Sequence, residues 1–201
     1  MSKILWVDIE TTGTDVNSEL LVQIGAVVTD DTPELHEQGA FQVTFATEPH
    51  DWLDVDPYVI DMHTRNGLMA DSLADGLDYF EAFDLFLDFI ERHFNINRQI
   101  PLGGSGVGHF DRTWLVHHMS DKLGDLLHRV MPKFRYWSYD VGCARRFAKI
   151  AGLDLEAYGY DGANAGANKA HTGLADIRDH VSEARAVILA FQAADGQEIG
   201  R

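Results

Sequence analysis

Between Lys3 and Glu10 apolar and polar side chains alternate, with Leu5, Val7 and Ile9 on one side and Trp6, Asp8 and Glu10 on the other. A period of two predicts a strand, because side chains two apart share one face of a sheet. Thr11-Thr12-Gly13 then supplies turn residues. Leu20–Thr29 and Phe41–Phe45 are further β-rich runs, and the short connections predict an antiparallel meander. The period then changes. Phe83, Phe86, Leu87, Ile90 and Phe94 recur at spacings of three and four, which predicts a helix over Leu77–Phe94. Residues 48–75 read as Asp-rich loops with a short helix from Pro57 onward. Ile100-Pro101-Leu102 leads into a Gly-rich stretch, 103–108, and a helix begins near Asp111. Tyr136–Val141 reads as a strand followed by a helix to about Ala151. Residues 157–169 hold too few large apolar groups to pack and are expected to form a mobile loop. Leu174, Ile177, Val181, Ala184, Ile188 and Phe191 form the stripe of a last helix.

Three strands followed by alternating helices and strands place the chain in the α/β class, with a mixed sheet flanked by helices. No repeat or linker divides the 201 residues. One domain over 1–195 is expected, with 196–201 as a frayed tail. No window approaches 18 consecutive apolar residues, so no membrane contact is expected. The first residues lack a signal-peptide pattern, and the single cysteine, Cys143, excludes an internal disulfide. A cytoplasmic protein is the expectation, with Cys143 as a small buried hydrophobe.

The charge sharpens this picture. Acidic side chains number 32 against 16 basic ones, a formal net charge of −16. Residues 1–91 carry 20 acidic and 2 basic side chains, residues 92–201 carry 12 and 14. A long polyanion finds no continuous basic track in the first half, whereas a short one could be held by the second.

Asp8 and Glu10 end an otherwise apolar strand on one face, with Cα atoms about 6.6 Å apart. Carboxylates this close repel unless a positive charge sits between them, and a hard divalent cation meets that need. A solvated strand end would carry the same pair. Asp111 opens a helix and could serve as its N-cap alone. His171 and Asp176 are five apart, so they converge only if His171 precedes the helix that carries Asp176.

Asp8, Glu10, Asp111, His171 and Asp176 in this order resemble the DEDDh family of 3′→5′ exonucleases, through Trp-Val-Asp-Ile-Glu-Thr-Thr-Gly (6–13), Phe-Asp-Arg-Thr-Trp-Leu (110–115) and His-x₄-Asp (171–176). Met62-His63-Thr64-Arg65-Asn66-Gly67-Leu68 is similar to the oligoribonuclease branch, in which the histidine lies against a substrate base. Trp137 and Gly142 stand where that branch carries Arg and Ser. The resemblance implies a ribonuclease H-like fold, a mixed five-stranded sheet with three antiparallel strands first. It also implies a catalytic set of Asp8, Glu10, Asp111, His171 and Asp176. Two divalent cations, Mg²⁺ or Mn²⁺, would lie about 3.5–4 Å apart on Asp8, Glu10, Asp176 and, through water, Asp111. His171, with an ordinary pKa near 6.5, is suited to take a proton from the attacking water. Thr11, Thr12 and Gly13 are expected at the terminal 3′ hydroxyl, and His63 against a base. Trp137 is a candidate for base stacking or for ordinary sheet packing.

The expected substrate is short or single-stranded nucleic acid with a free 3′ end, cut to nucleoside 5′-monophosphates, with RNA oligonucleotides favoured. A DNA-directed proofreading or trimming exonuclease is the alternative, and a non-catalytic nucleic-acid-binding module of the same fold is a second. The oligoribonuclease branch forms homodimers, and the resemblance carries that over as an expectation.

Overall fold

The computed structural model describes residues 2–121, 129–160 and 173–198. Strands β1 (Lys3–Thr11), β2 (Leu21–Asp30) and β3 (Glu37–Thr44) come first, and β4 (Gln99–Gly104) and β5 (Lys133–Asp140) follow between helices. Together they form one sheet in the order β3-β2-β1-β4-β5. The first three pair antiparallel, while β4 and β5 run parallel to β1. This is the five-stranded mixed sheet that the resemblance implies.

The alternation in β1 decides how the layers form. Leu5, Val7 and Ile9 face α3 (Tyr79–His93) and α4 (Asp111–Asp121), burying Phe83, Phe86, Ile90, Trp114 and Leu115. Ile4 and Trp6 face the other way, onto Val141 of α5 (Val141–Ile150) and Ile177, Val181 and Ala184 of α6 (Gly173–Glu198). Trp6 needs room that β4 provides. A Cβ on Gly103 would come within 2.5 Å of the indole ring, so only glycine fits there.

Local chemistry moves several boundaries. α3 starts at Tyr79 rather than Leu77 because Leu77 prolongs the sheet, bridging to Phe45 and donating to the Thr44 carbonyl. Asp78 then caps the helix by accepting the Phe80 amide. The Asp-rich stretch is more ordered than its composition suggests. It holds a 3₁₀ turn at Pro49–Trp52 and two helices, α1 (Pro57–Arg65) and α2 (Leu68–Ala74). α6 continues to Glu198, past the expected limit at residue 195. Cys143 is exposed rather than buried. Of the loop expected over 157–169, residues 157–160 form the end of a 3₁₀ turn and the residues just after it, and 161–169 lie outside the described residues. Among the described residues no helix is long and apolar enough to cross a membrane.

Candidate active site

Asp8 and Glu10 project from β1 on the face that α6 covers, and Asp176 lies in the first turn of α6. One carboxylate oxygen from each of the three lies within 4.8 Å of the other two. Three acidic oxygens at that separation are the donor set a hard divalent cation takes.

The approach of α6 is built on β2. Gly25 pairs with Asp8 across the sheet, and a Cβ at Gly25 would come within 2.6 Å of the Gly173 backbone. Glycine therefore lets the start of the helix lie directly on the strand. Gln23 and Gln42 complete the seat, accepting the Gly173 amide at 3.0 Å and the Leu174 amide at 3.3 Å. These bonds satisfy amides that every helix leaves without partners in its first turn. The Gln23 amide also donates to Thr44 at 3.1 Å, so the seat is anchored to β3. Neither glutamine nor Gly25 is marked by any motif; the only sequence signal is a polar residue and a glycine inside a long apolar run.

Asp111 arrives from the other face. Its Oδ1 accepts the Ile9 amide at 3.0 Å, and it is buried. The N-cap alternative is too small a role for it, because the bond crosses to β1. Burial, followed by the charges of Asp176 and Asp111, pushes the Glu10 carboxyl up to about 8. Burial also pushes Asp111 up to about 7, with the Asp140 charge adding to it, although the Ile9 amide opposes the rise. Carboxyls held this far above their ordinary range lack positive charge nearby, and a cation would supply it.

The other expected site residues divide. Thr11 and Thr12 form a tight, internally bonded turn. The Thr11 hydroxyl donates to the Gly13 carbonyl at 2.5 Å, while Thr12 donates to Glu19 and accepts the Leu20 amide. Gly13 packs on Glu19, whose side chain a Cβ there would meet. His63 supports this turn. It is fully buried, edge-on to Trp52, and its Nε2 donates to the Thr11 carbonyl at 3.0 Å. Through that bond it holds the Thr11 end of the turn in place. Trp137 sits on the outer strand β5, partly exposed, edge-on to Tyr139 and under the Arg135 guanidinium. His171 lies outside the described residues. Arg145 pairs with buried Glu183 at 2.8 Å and donates to the Tyr160 hydroxyl. His118 packs in the core against Trp114 and contacts the Tyr79 hydroxyl.

Comparison with known proteins bears on this geometry. The exonuclease family model RNase_T matches residues 5–183. The oligoribonuclease of Mycobacterium sp. (strain KMS) is 32% identical over 187 residues, covering 90% of this chain and 77% of that protein. The oligoribonuclease of Cutibacterium acnes is also 32% identical, over 90% of this chain and 81% of its own length. Among solved structures, exonuclease I of Methylocaldum szegediense superposes with a TM-score of 0.63 at 20% identity, over 96% of this chain. Exonuclease I of E. coli in complex with a dA16 oligonucleotide gives 0.60 at 15% identity, over 93%. This chain spans only 43% and 41% of those two structures, and at such identities they share the fold alone. The matched region runs from the strand that carries Asp8 to the helix that carries Asp176, and the chain belongs to the DEDDh exonuclease family.

Proposed function

We propose that the chain is a metal-dependent exonuclease that hydrolyses the 3′-terminal phosphodiester of short nucleic acids, RNA oligonucleotides above all, and releases nucleoside 5′-monophosphates. The observation that carries this reading is the convergence of Asp8, Glu10 and Asp176 within 4.8 Å, with Asp111 bonded to the peptide between the first two. The short-RNA preference is supported by the relatives that match nine-tenths of the chain, which are named oligoribonucleases.

Asp8, Glu10 and Asp176 would hold divalent cations, Mg²⁺ or Mn²⁺, two in number, with Asp111 reaching the second through water. Bound there, the cations supply Lewis-acid stabilisation of charge on the attacking and leaving oxygens. The chain's own groups do the rest. His171 takes the proton of the attacking water, a task its ordinary pKa suits near neutral pH. The Thr11–Gly13 turn, held by His63 beneath and Glu19 beside it, presents a fixed backbone to the terminal 3′ hydroxyl. Trp137, on the outer strand, offers a face on which a base can stack. A homodimer and a cytoplasmic location belong to the same reading.

The test uses 5′-labelled RNA and DNA oligomers of two to about 20 nucleotides, with Mn²⁺ or EDTA, beside Asp8→Ala and His171→Ala variants. A ladder growing from the 3′ end, dependent on metal and absent from both variants, is expected, with the shortest RNAs cut fastest. Equal rates on DNA would move the reading to DNA trimming. Absence of any metal-dependent ladder would sink it.

A further inference from the structure

The end of the sheet opposite the carboxylates holds a concavity of about 680 Å³. That lies within the range of small-molecule sites, about 300–1,000 Å³. It forms where β1, β4 and β5 begin and where α3 ends, and Lys3, His93, Phe94, Arg98, Ile100 and Arg135 line it. Lys3 and Asp8 are five residues apart on one strand, about 16 Å at the usual rise, so this concavity shares nothing with the acidic cluster.

Its charge runs against that of the chain. With 32 acidic side chains to 16 basic ones, a cation would ordinarily find a carboxylate. Among the described residues, the ion pairs engage Arg65, Arg129, Arg145, Arg178 and two histidines, and neither Lys3, Arg98 nor Arg135. Arg135 instead lies 4.5 Å over the Trp137 ring, which fixes its direction without neutralising it. The acid nearest in register is Asp30, opposite Lys3, and its oxygens are taken by Thr32 and His36. Burial, and then the charges of Lys3 and Arg92, hold His93 below its ordinary range. Phe94, half-buried at the end of α3, gives the cavity an apolar patch.

Three unneutralised cations beside an aromatic ring call for a ligand that is anionic at one end and flat at the other. The volume far exceeds what a lone phosphate ion needs. We propose that this cavity binds a nucleoside monophosphate, with its phosphate between Lys3, Arg98 and Arg135 and its base against Phe94. Charge-assisted bonds from guanidinium to phosphate are the strong kind, and two arginines provide the planar fork that fits it.

The experiment titrates the full chain with adenosine monophosphate, and separately with inorganic phosphate, by calorimetry in EDTA. Chelation removes divalent cations from the acidic cluster, so the result stands whether or not the exonuclease reading does. Saturable binding of the nucleotide, tighter than that of phosphate, is expected. Arg98→Glu combined with Arg135→Glu should weaken it by about tenfold or more, while Asp8→Asn leaves it unchanged. Arg98 is exposed and Arg135 half-buried, and an unaltered melting temperature would show that the fold is kept. No saturable binding, or binding insensitive to the double variant, would overturn the proposal. So would phosphate binding as tightly as the nucleotide, loss on Asp8→Asn instead, or a ten-nucleotide strand binding more tightly than the monophosphate.

Discussion

The Asp111 carboxylate accepts the Ile9 amide, so the first residue of α4 is tied to the peptide between Asp8 and Glu10. Asp111 thus combines two tasks, an acidic group at the site and a brace for the strand that carries it. Substitutions should separate them. Asp111→Asn keeps an acceptor for Ile9 and should fold with wild-type stability while losing exonuclease rate. Asp111→Ala leaves a buried amide without a partner, a loss of about 1–3 kcal/mol. Urea unfolding in EDTA, beside rates in Mn²⁺, checks both; equal stability of the two variants would contradict the bracing role.

Glu10 gives the metal-free protein a particular dependence on pH. Its carboxyl rises from the ordinary 4.5 to about 8 on folding. The folded state therefore holds a proton that the unfolded state releases, and this stability is complete below about 4.5 and lost as pH rises through about 8. In EDTA the melting temperature should fall across that window, by less in Glu10→Gln. Mn²⁺ should stabilise the wild type more at pH 8 than at pH 6. A flat profile in EDTA would refute the assignment.

Gly25→Ala should act on the metal without touching it. The added methyl collides with Gly173 and lifts the start of α6, moving Asp176 away from Asp8 and Glu10. Residues that orient ligands typically account for about 10–100-fold in metal affinity. Mn²⁺ binding followed by electron paramagnetic resonance should weaken by that order, with Gln23→Leu as a companion. Unchanged affinity in both would detach the seat from the site.

His63→Phe removes the bond to the Thr11 carbonyl while filling nearly the same space. A cost of about 1–3 kcal/mol in stability is expected. If His63 positions the turn, KM for short RNA should rise with it. If it stacked on a base directly, Phe would substitute well and KM would stay near the wild-type value.

The sequence carried what local periodicity can carry. The alternation of Lys3–Glu10 identified the central strand and put Asp8 and Glu10 on one face, and the stripe from Leu174 onward identified α6. Burial of single polar residues was not legible. Pro57–Arg65 has no strong apolar stripe to say that His63 points inward, and the residue beneath which it sits is 52 positions away. Cys143 lies 200° around α5 from buried Val141 at the usual 100° per residue, which turns it outward; composition alone suggested the reverse. Gly25 and Gln23 read as interruptions of an apolar strand until the helix that rests on them is in place.

That resting place has a consequence for the order of events in the cell. Gln23 and Gly173 meet across 150 positions of chain, and the docking of α6 on this seat brings the third carboxylate to the other two. A nascent polypeptide still short of α6 can pair its strands and display Asp8 and Glu10, yet it has no complete ligand set.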